Sequence, residues 1–313
     1  MRFFVLIHLL ISRFIVADES LNRYDFSGPG MATTFRISCY CEQQQKASQA
    51  VQKCYERIAE LNARFTDYDP ASELMRLCAP DAVMPHSVSE PLYEILKRSV
   101  TLANLTEGAF DPTCGNLSHL WRRSKRIGRL PPQDRLALAI AATNWKRIQF
   151  NDKAKAVSLS PGTLIDLGGI AKGWAADECL KILKQYGITR AIVQAGGDTV
   201  AGEAPPEKEG WEVILTPDKL HKTPILLRQR AVSTSGDLYQ FVEIEGIRYS
   251  HIISPRTGLG LTQRIACSVI AGDCATSDAL ATAMCVLGEE AGKKWAKSFP
   301  DIEVRFTKGN GSP

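Results

Sequence analysis

The feature that most constrains the fold is a series of short strand patterns in the second half of the chain, interrupted by helices only at irregular intervals. The segments with this pattern are 191–195, 211–216, 225–228, 238–244, 248–253 and 265–271. Runs of strands with irregularly placed helices are typical of an α+β fold with a largely antiparallel sheet. A doubly wound parallel sheet is less favoured, because it needs a regular alternation of strand and helix.

Helical periodicity and helix-boundary residues predict the helices that pack on this sheet. They are expected over about 43–62, 89–105, 170–186, 276–287 and 290–298. The strand near Thr34–Tyr40 is expected to be the first element of the fold, and Ile302–Phe306 the last strand. Residues 145–150 and 156–159 flank Asn151-Asp152-Lys153 and predict a hairpin.

The overall composition excludes several classes of protein. The chain has 313 residues, of which 44% are hydrophobic and 23% charged, a balance typical of a folded globular protein rather than a disordered or fibrous one. The length allows one large domain or two intimate ones, and we expect residues 28–313 to form a single domain. The net charge of +4 is too small to indicate a nucleic-acid-binding protein.

The charge is less even locally. Between residues 122 and 155, ten basic side chains face only Asp134 and Asp152, so this segment carries +8 and the rest of the chain −4. One interpretation is a solvated loop and helix face. The other is an electrostatic guide toward an anionic ligand.

The first 17 residues resemble a secretory signal peptide. Met1-Arg2 precedes about nine mostly apolar residues, and the small residue Ala17 follows. We therefore expect export to the periplasm, with association to the inner membrane left open. No cysteine lies within the first 38 residues, so a lipid-anchored cysteine is not expected.

The nine cysteines do not have the spacing of a disulfide framework, and their number is odd. Cys54, Cys179 and Cys285 fall in helical apolar patterns, where cysteine usually acts as a small core residue. Cys39 and Cys41 share one face of a predicted strand, which makes a poor disulfide and a weak metal signal.

The first candidate site is a strand end that passes through paired glycines into a helix, Asp166-Leu167-Gly168-Gly169-Ile170-Ala171-Lys172-Gly173. Small residues let a ligand approach main-chain N–H groups, the helix N-terminus favours negative charge, and Lys172 can reach a phosphate. The segment has neither P-loop nor dinucleotide-binding spacing. The alternative is a tight turn with a solvated lysine.

The second candidate is a possible cation site on the helix predicted over 276–287. Asp278 and Thr282 lie four residues apart and project from one face, so a carboxylate and a hydroxyl can converge on one cation. Oxygen ligands suit Mg²⁺ best. The alternative is an ordinary helix start, in which Asp278 complements the helix dipole.

Two further segments contain polar groups beside turns. The segment Ser233–Asp237 predicts a hydroxyl-rich loop, and the hairpin that follows should bring it near His251, Pro255 and Arg256. Side chains of these types occur together in phosphate and nucleotide sites. A core or turn histidine is the alternative. In 108–121 an aromatic residue and a carboxylate precede a turn, which by itself indicates only the turn and its packing partners.

Taken together and in this order, these segments resemble the ApbE-like FAD:protein FMN transferases over roughly residues 28–288. The chain departs from the family pattern at Ala32, where glycine is usual, and at Ser254, where an aspartate often precedes the proline. The segments that carry the resemblance are Met31-Ala32-Thr33, Arg64-Phe65-Thr66 to Ser72-Glu73-Leu74, Gly108 to Trp121, Asp166 to Asp177, Gly196-Gly197-Asp198, Ser233 to Asp237, His251 to Gly258, and Asp278 to Thr282.

The resemblance implies an ApbE/T-fold-like α+β core and a set of site residues. The implied flavin site consists of Met31, Tyr68, Ala109, Phe110, Asp111, Asp166, Lys172 and the turn His251-Ile252-Ile253. The implied Mg²⁺ ligands are the carbonyl of Gly169, the carboxylate of Asp278, the carbonyl of Ala281 and the hydroxyl of Thr282.

The implied reaction is attack by a threonine of an acceptor flavoprotein on the FMN-side phosphorus of FAD, which releases AMP. Lys172 would neutralise the pyrophosphate, and His251 or Asp111 would accept the proton. The implied partner is a flavoprotein subunit of a membrane or exported redox complex. Two alternatives remain, an FAD pyrophosphatase that releases FMN and AMP, and a carrier that binds FAD without cleaving it.

Overall fold

The computed structural model describes residues 21–215, 224–237 and 241–308. In chain order the strands are β1 (Asn22–Gly30), β2 (Thr33–Cys41), β3 (His86–Ser87), β4 (Ile148–Asn151), β5 (Ala156–Leu159), β6 (Ala191–Ala195), β7 (Asp198–Ala201), β8 (Trp211–Val213), β9 (Ile225–Leu227), β10 (Arg230–Gly236), β11 (Phe241–Ile244), β12 (Ile247–Ser250), β13 (Ile265–Ala271) and β14 (Glu303–Lys308). The helices are α1 (Gln44–Phe65), α2 (Glu73–Leu77), α3 (Glu90–Leu105), α4 (Gly115–Ile127), α5 (Gln133–Ala142), α6 (Ala171–Gln185) and α7 (Cys274–Ala296).

The main sheet has seven strands in the order β1-β2-β6-β7-β10-β13-β14. Every neighbouring pair is antiparallel. Smaller sheets form from β3-β5-β4, β8-β9 and β11-β12. The predicted α+β fold with a largely antiparallel sheet is confirmed.

The sheet has a buried core on each face. Helices α1, α6 and α7 cover one face, where Ile37 and Val193 are fully buried together with Cys54, Cys179 and Cys285 from the helices. Strand residues alternate between faces, so Ile192 and Val232 point the other way and pack with Trp211 in a second cluster under the β8–β9 hairpin. All nine cysteines are free thiols, and the core role predicted for Cys54, Cys179 and Cys285 is confirmed.

Several predicted elements form as expected. Helix α3 begins after Ser89 with Pro91 in its first turn, and the hairpin over 148–159 forms. The helices predicted over 276–287 and 290–298 form as the two arms of α7, which breaks at Gly288 (φ 79°, ψ 171°). Ser89 does not cap α3 through its side chain, because its hydroxyl donates to Glu73 instead.

The sequence prediction of Ser233–Asp237 as a loop is wrong. Residues 230–236 form β10 in the middle of the sheet, with β7 and β13 as its neighbours. The hydroxyl groups misled the prediction, because they find buried partners here: Ser233 Oγ lies 2.8 Å from Ser277 Oγ, and Thr234 Oγ1 lies 2.8 Å from Ser268 Oγ.

The described fold also begins earlier than predicted. Strand β1 starts at Asn22 and pairs along its whole length with β2, so the boundary expected at residue 28 falls inside a strand, and Thr34–Tyr40 is part of the second strand. The signal peptide predicted over 1–17 lies outside the described residues. Among the helices of the described ranges, none is long and apolar enough to cross a membrane.

Candidate functional site

A cavity of about 570 Å³ forms where the loops before α4 and α6, the β6–β7 turn, the end of β10 and helix α7 converge. This volume lies within the usual range for small-molecule sites. The predicted site residues that line it are Tyr68, Ala109, Phe110, Asp111, Asp166, Gly169, Lys172, His251, Ile252, Ile253, Asp278 and Thr282. The tertiary fold therefore brings together side chains from segments more than 200 residues apart.

Two predicted residues, Met31 and Ala281, do not line this cavity as the structure describes it. Met31 is half-buried in the turn between β1 and β2 and packs against the core. In β2, the carbonyl of Thr34 accepts from the N–H of Gly196 (3.4 Å). Ala281 is fully buried inside α7.

Two loops run side by side to form one wall of the cavity. The N–H of Asp166 donates to the carbonyl of Pro112 (2.8 Å), and the N–H of Gly115 donates to the carbonyl of Leu164 (3.0 Å). Asp111 holds the first loop in shape: Oδ1 accepts from the N–H and hydroxyl of Thr113 (2.8 and 2.6 Å), and Oδ2 accepts from the N–H of Trp145 (3.1 Å). Burial raises the pKa of Asp111, and these three bonds oppose the rise.

Arg122 of α4 contacts residues both at the open end of the cavity and on its wall. Its guanidinium lies 2.6 Å from Asp67 and 3.4 Å from Asp166, and it stacks 4.3 Å from the centre of the Tyr68 ring. Tyr68 is 76% exposed, so Arg122 orders a ring that is otherwise open to solvent. The sequence presented Arg122 only as part of a basic segment, and its pairing with Asp67 needed the tertiary fold.

Helices α6 and α7 cross closely enough for main-chain contact at the inner end of the cavity. A Cβ at Gly173 would lie 2.3 Å from the carbonyl oxygen of Cys274, so only glycine permits this approach. The N–H of Gly173 donates to Asp278 Oδ2 (3.2 Å), and Asp177 accepts from the N–H groups of Cys274 and Ala275 (2.8 and 2.9 Å). The start of α7 is thereby held against the start of α6.

Lys172 is held between two buried carboxylates. Its Nζ lies 3.2 Å from Asp198 Oδ2 and 3.1 Å from Asp278 Oδ2, and it donates to the carbonyl of Gly168 (3.3 Å). Burial lowers the pKa of Lys172, but the two carboxylates outweigh this and raise it overall. Burial and the charge of Asp198 raise the pKa of Asp278, and Lys172 opposes that rise.

The oxygen atoms on this wall are of the kind that Mg²⁺ prefers. The predicted projection of Asp278 and Thr282 from one helix face is confirmed, since both line the cavity. Thr282 Oγ1 lies 3.2 Å from Ser235 Oγ and close to Gly169, whose added Cβ would be 3.5 Å from it. No group of three or more His, Cys, Asp or Glu residues in the described part of the chain is arranged to hold a metal ion, so a divalent cation here would need carbonyl and hydroxyl oxygens as well. The buried carboxylates and hydroxyls fit that requirement.

His251 also lines the cavity, in a turn that its neighbours stabilise. The N–H of Ile252 donates to Ser250 Oγ (3.0 Å), and the N–H of Thr257 donates to Ser254 Oγ (3.4 Å). Ser254, at the position where the family often has aspartate, thus accepts a hydrogen bond within the turn. The histidine faces the same cavity as Lys172 and Asp278.

The sequence interpretation missed Asp198 as a site residue, although it marked the Gly196-Gly197-Asp198 turn. Asp198 begins β7 and its side chain is only 4% exposed. The available signal was a carboxylate directly after two glycines, at the start of the short strand β7. A second cavity of about 710 Å³ lies at the other end of β7, between α3 and α6, and contains none of the predicted site residues.

Comparison with solved structures places this fold among the flavin transferases. A variant of the flavin transferase ApbE from Vibrio cholerae matches with a TM-score of 0.81 and 30% identity, over 91% of this chain and 93% of that one. The ApbE protein of Thermotoga maritima matches with a TM-score of 0.80 and 28% identity, over 92% and 97%.

The model of the ApbE family matches residues 31–306, and the chain belongs to this family. A curated FAD:protein FMN transferase from Vibrio cholerae is 31% identical over 290 residues, which cover 90% of this chain and 86% of the relative. One from Chlamydia muridarum is 28% identical over 95% of each. The resemblance inferred from the ordered motifs is confirmed.

Proposed function

We propose that the protein transfers FMN from FAD to a threonine hydroxyl of an acceptor flavoprotein, with Mg²⁺, and releases AMP. The observation that carries the proposal is the placement of Lys172, at the start of α6, opposite Asp278 and Thr282 of α7 in one cavity. A helix N-terminus and a lysine attract a pyrophosphate, and the facing oxygen atoms suit a divalent cation. Membership of the ApbE family, whose curated relatives are named FAD:protein FMN transferase, supports the flavin transfer.

The mouth of the cavity suits the flavin ring. Tyr68 presents an exposed aromatic face, and Arg122 stacks within 4.3 Å of the same ring and keeps it in place. Phe110 is buried beneath Gly169 and lines the cavity further in. Aromatic surfaces of this kind stack on flat heterocycles. We assign the ring to this end and the pyrophosphate to the Lys172 end.

In the proposed reaction the threonine oxygen bonds to the FMN-side phosphorus, and the bond from that phosphorus to the bridging oxygen breaks. AMP leaves with the bridging oxygen, and the hydroxyl proton passes to a base. A bound Mg²⁺ would offset the charge of the pyrophosphate, with Asp278, Thr282 and the carbonyl of Gly169 as its ligands. Lys172 would neutralise further phosphate charge.

The structure favours His251 over Asp111 as the proton acceptor. Both carboxylate oxygens of Asp111 already accept hydrogen bonds from its own loop and from Trp145, and the side chain is buried. His251 lines the same cavity as Lys172 and Asp278, and an imidazole is the usual base near neutral pH. Asp111 is then a residue that shapes the flavin loop.

The metal assignment is tested with Asp278→Ala. This substitution removes the only charged group among the proposed ligands, so most Mg²⁺-dependent AMP release should be lost while the protein stays folded. Asp152→Asn removes an exposed carboxylate of the β4–β5 turn that pairs with Lys97 of α3; it is the matched control and should keep full activity. An unchanged Mg²⁺ dependence in folded Asp278→Ala protein would reject this metal site.

One assay separates the three candidate activities. The protein is incubated with FAD and Mg²⁺, with and without an exported redox flavoprotein as acceptor, and AMP, FMN and the intact mass of the acceptor are measured. A transferase yields AMP and a covalently flavinylated acceptor. An FAD pyrophosphatase yields AMP and free FMN without an acceptor, and a carrier yields no AMP.

We further propose that the protein acts after export, on a flavoprotein subunit of a membrane or exported redox complex. The N-terminal sequence that resembles a signal peptide supports this compartment. Fusion of residues 1–17 to a reporter that is active only outside the cytoplasm should give an active reporter. An inactive reporter in the presence of expressed fusion protein would reject export through this segment.

A further inference from the structure

The Lys172 ammonium has more than one carboxylate partner, and these partners differ in what else binds them. Asp278 Oδ2 also accepts from the N–H of Gly173 (3.2 Å). Asp198 Oδ2 lies 3.2 Å from Lys172 Nζ and accepts no well-aligned hydrogen bond from the described residues, although it is buried. Lys172 is therefore the cation that pairs with the Asp198 carboxylate at the cavity wall.

The charges of this cluster have a direct consequence for metal binding. Two buried carboxylates and one ammonium leave one net negative charge, so a divalent cation is attracted to the cluster. Asp278 is the proposed metal ligand, and its carboxylate is occupied by Lys172 in the described state. Any cation that binds Asp278 must therefore compete with the ammonium or move it.

We propose that Asp198 is a positioning residue, which retains the Lys172 ammonium beside the pyrophosphate when a divalent cation takes Asp278. Lys172 serves as an internal cation that competes with the metal for Asp278, and Asp198 keeps it in the cavity after the exchange. This inference rests on the proposed function, because it assumes that metal and pyrophosphate bind at this cluster. It assigns a role to a residue that the ligand set from the family resemblance does not include.

The placement of Asp198 argues for this indirect role. It follows the glycine turn at the very start of β7, where pairing with both Ala195 and Ser233 holds its backbone. Its side chain is only 4% exposed, beside Lys172 in the buried cluster. A carboxylate beside a pyrophosphate repels it directly, so Asp198 favours FAD binding only if it acts through Lys172.

The first test measures Mn²⁺ binding to FAD-free protein by electron paramagnetic resonance, with Mn²⁺ as the probe for the Mg²⁺ site. Lys172→Met removes the competing ammonium, and the dissociation constant should fall about tenfold or more, since two unpaired buried carboxylates remain. In Asp198→Asn, Asp278 is the one remaining carboxylate of the cluster that pairs with Lys172, so the dissociation constant for Mn²⁺ should rise severalfold. Asp152→Asn should leave it unchanged. A Lys172→Met protein that binds Mn²⁺ as wild type does, or more weakly, would overturn the competition.

The second test measures KM for FAD in the AMP-release assay, with the acceptor flavoprotein present, for the two single variants and the double variant. Asp198→Asn alone should raise KM for FAD about tenfold, although it removes a negative charge near the phosphates. In the Lys172→Met background the same substitution should leave KM unchanged or lower it, because the residue through which it acts is gone. Circular dichroism and thermal unfolding verify that each variant is folded.

The outcomes separate this inference from the proposed function. If wild-type protein binds no Mn²⁺, or releases no AMP from FAD in the presence of an acceptor flavoprotein, the proposed function fails. If both activities are present and Asp198→Asn has the wild-type KM for FAD, or a lower one, the positioning role is rejected. An equal rise of KM in both backgrounds also rejects it, because Asp198 then acts independently of Lys172.

Discussion

At the scale of single residues, the β1–β2 turn contains backbone strain that the sequence could locate but not explain. Met31 and Ala32 both have positive φ angles, 46° and 58°, and join strands paired at Gly30 and Thr33. A two-residue hairpin loop with positive φ at both positions is a type I′ turn, which favours Gly or Asn. This geometry accounts for the glycine that the family usually has at the position of Ala32.

We expect Ala32→Gly to stabilise the protein. A residue other than glycine in the left-handed region destabilises the folded state by about 1–2 kcal/mol. Glycine removes this strain, but it raises the conformational entropy of the unfolded chain, which lowers stability by about 0.4–1 kcal/mol. The net gain in the free energy of unfolding should be about 0.5–1 kcal/mol, measured by urea denaturation. Ala154→Gly is the matched control, because Ala154 lies exposed in another hairpin turn without a positive φ. Equal effects of the two substitutions would contradict the strain.

At the scale of elements, the site depends on the close crossing of α6 and α7 at Gly173. A methyl group there would collide with the carbonyl of Cys274 and push Asp278 away from Lys172. Gly173→Ala should lower the free energy of unfolding by about 1–3 kcal/mol and reduce AMP release. Chemical denaturation and the AMP assay measure the two effects.

The control for this prediction is Gly272→Ala. A Cβ at Gly272 meets no atom within 4 Å, and its φ is not positive, so neither stability nor activity should change appreciably. If Gly173→Ala is as stable as Gly272→Ala, the two helices are not held at the described distance. The comparison isolates the crossing from the general effect of replacing a glycine near α7.

Glu73 shows how a residue of a family motif can have a structural role. Its carboxylate accepts from the hydroxyl and N–H of Ser89, at the start of α3, and pairs with Arg64 of α1 (2.9 Å). Burial raises the pKa of Glu73, but these contacts outweigh burial and hold it below the usual 4.5. Glu73 thus joins three helices, away from the cavity.

We expect this contact to make stability sensitive to acid. Because the folded-state pKa is depressed, the contribution of Glu73 is present above about pH 4.5 and is lost as the pH falls through the folded-state pKa. Glu73→Gln should lower stability at pH 7 and flatten its decline between pH 5 and about pH 3. Urea denaturation at several pH values measures this. Glu90→Gln is the control, because Glu90 is an exposed acid at the start of α3. The decline of its stability with falling pH should match that of wild type.

At the scale of the whole molecule, the structure divides the basic segment into two parts. Arg122 is bound to Asp67 and Asp166 and lines the cavity, whereas Arg123 and Arg126 lie exposed on the same helix. Arg122 is therefore engaged in the site, and the choice between a solvated face and an electrostatic guide concerns the exposed arginines. Only the exposed arginines can attract an acidic acceptor without disturbing the site.

We expect charge reversal of Arg123 and Arg126 to slow transfer to an acidic acceptor more at low salt than at high salt. Attraction between exposed charges is screened beyond about 10 Å at 0.1 M salt, so the difference between variant and wild type should shrink as salt is added. Stopped-time assays of acceptor flavinylation over a series of salt concentrations measure this. Parallel salt profiles would leave both arginines as solvated surface residues.

Much of the architecture followed from local pattern. Periodicity located α1, α3, α6 and both arms of α7, because apolar spacing reports directly which face of an element is buried. It failed for β10, whose serines and threonines are polar in sequence but satisfied in the sheet, and for α4, whose basic surface hides a narrow buried stripe of Leu117, Trp121 and Ser124. Burial of polar groups depends on partners that are distant in the chain.

The sequence by itself determined the ordered motifs, the α+β class and the family, because each depends on residue types at short, readable spacing. Only the tertiary structure decided which of these residues meet: it placed Lys172 between Asp198 and Asp278, engaged both oxygens of Asp111 in its own loop, and put Met31 and Ala281 outside the cavity wall. The physical reason is that a carboxylate's charge, burial and availability depend on groups that the fold brings within a few ångströms, and their separation along the chain carries no information about that distance.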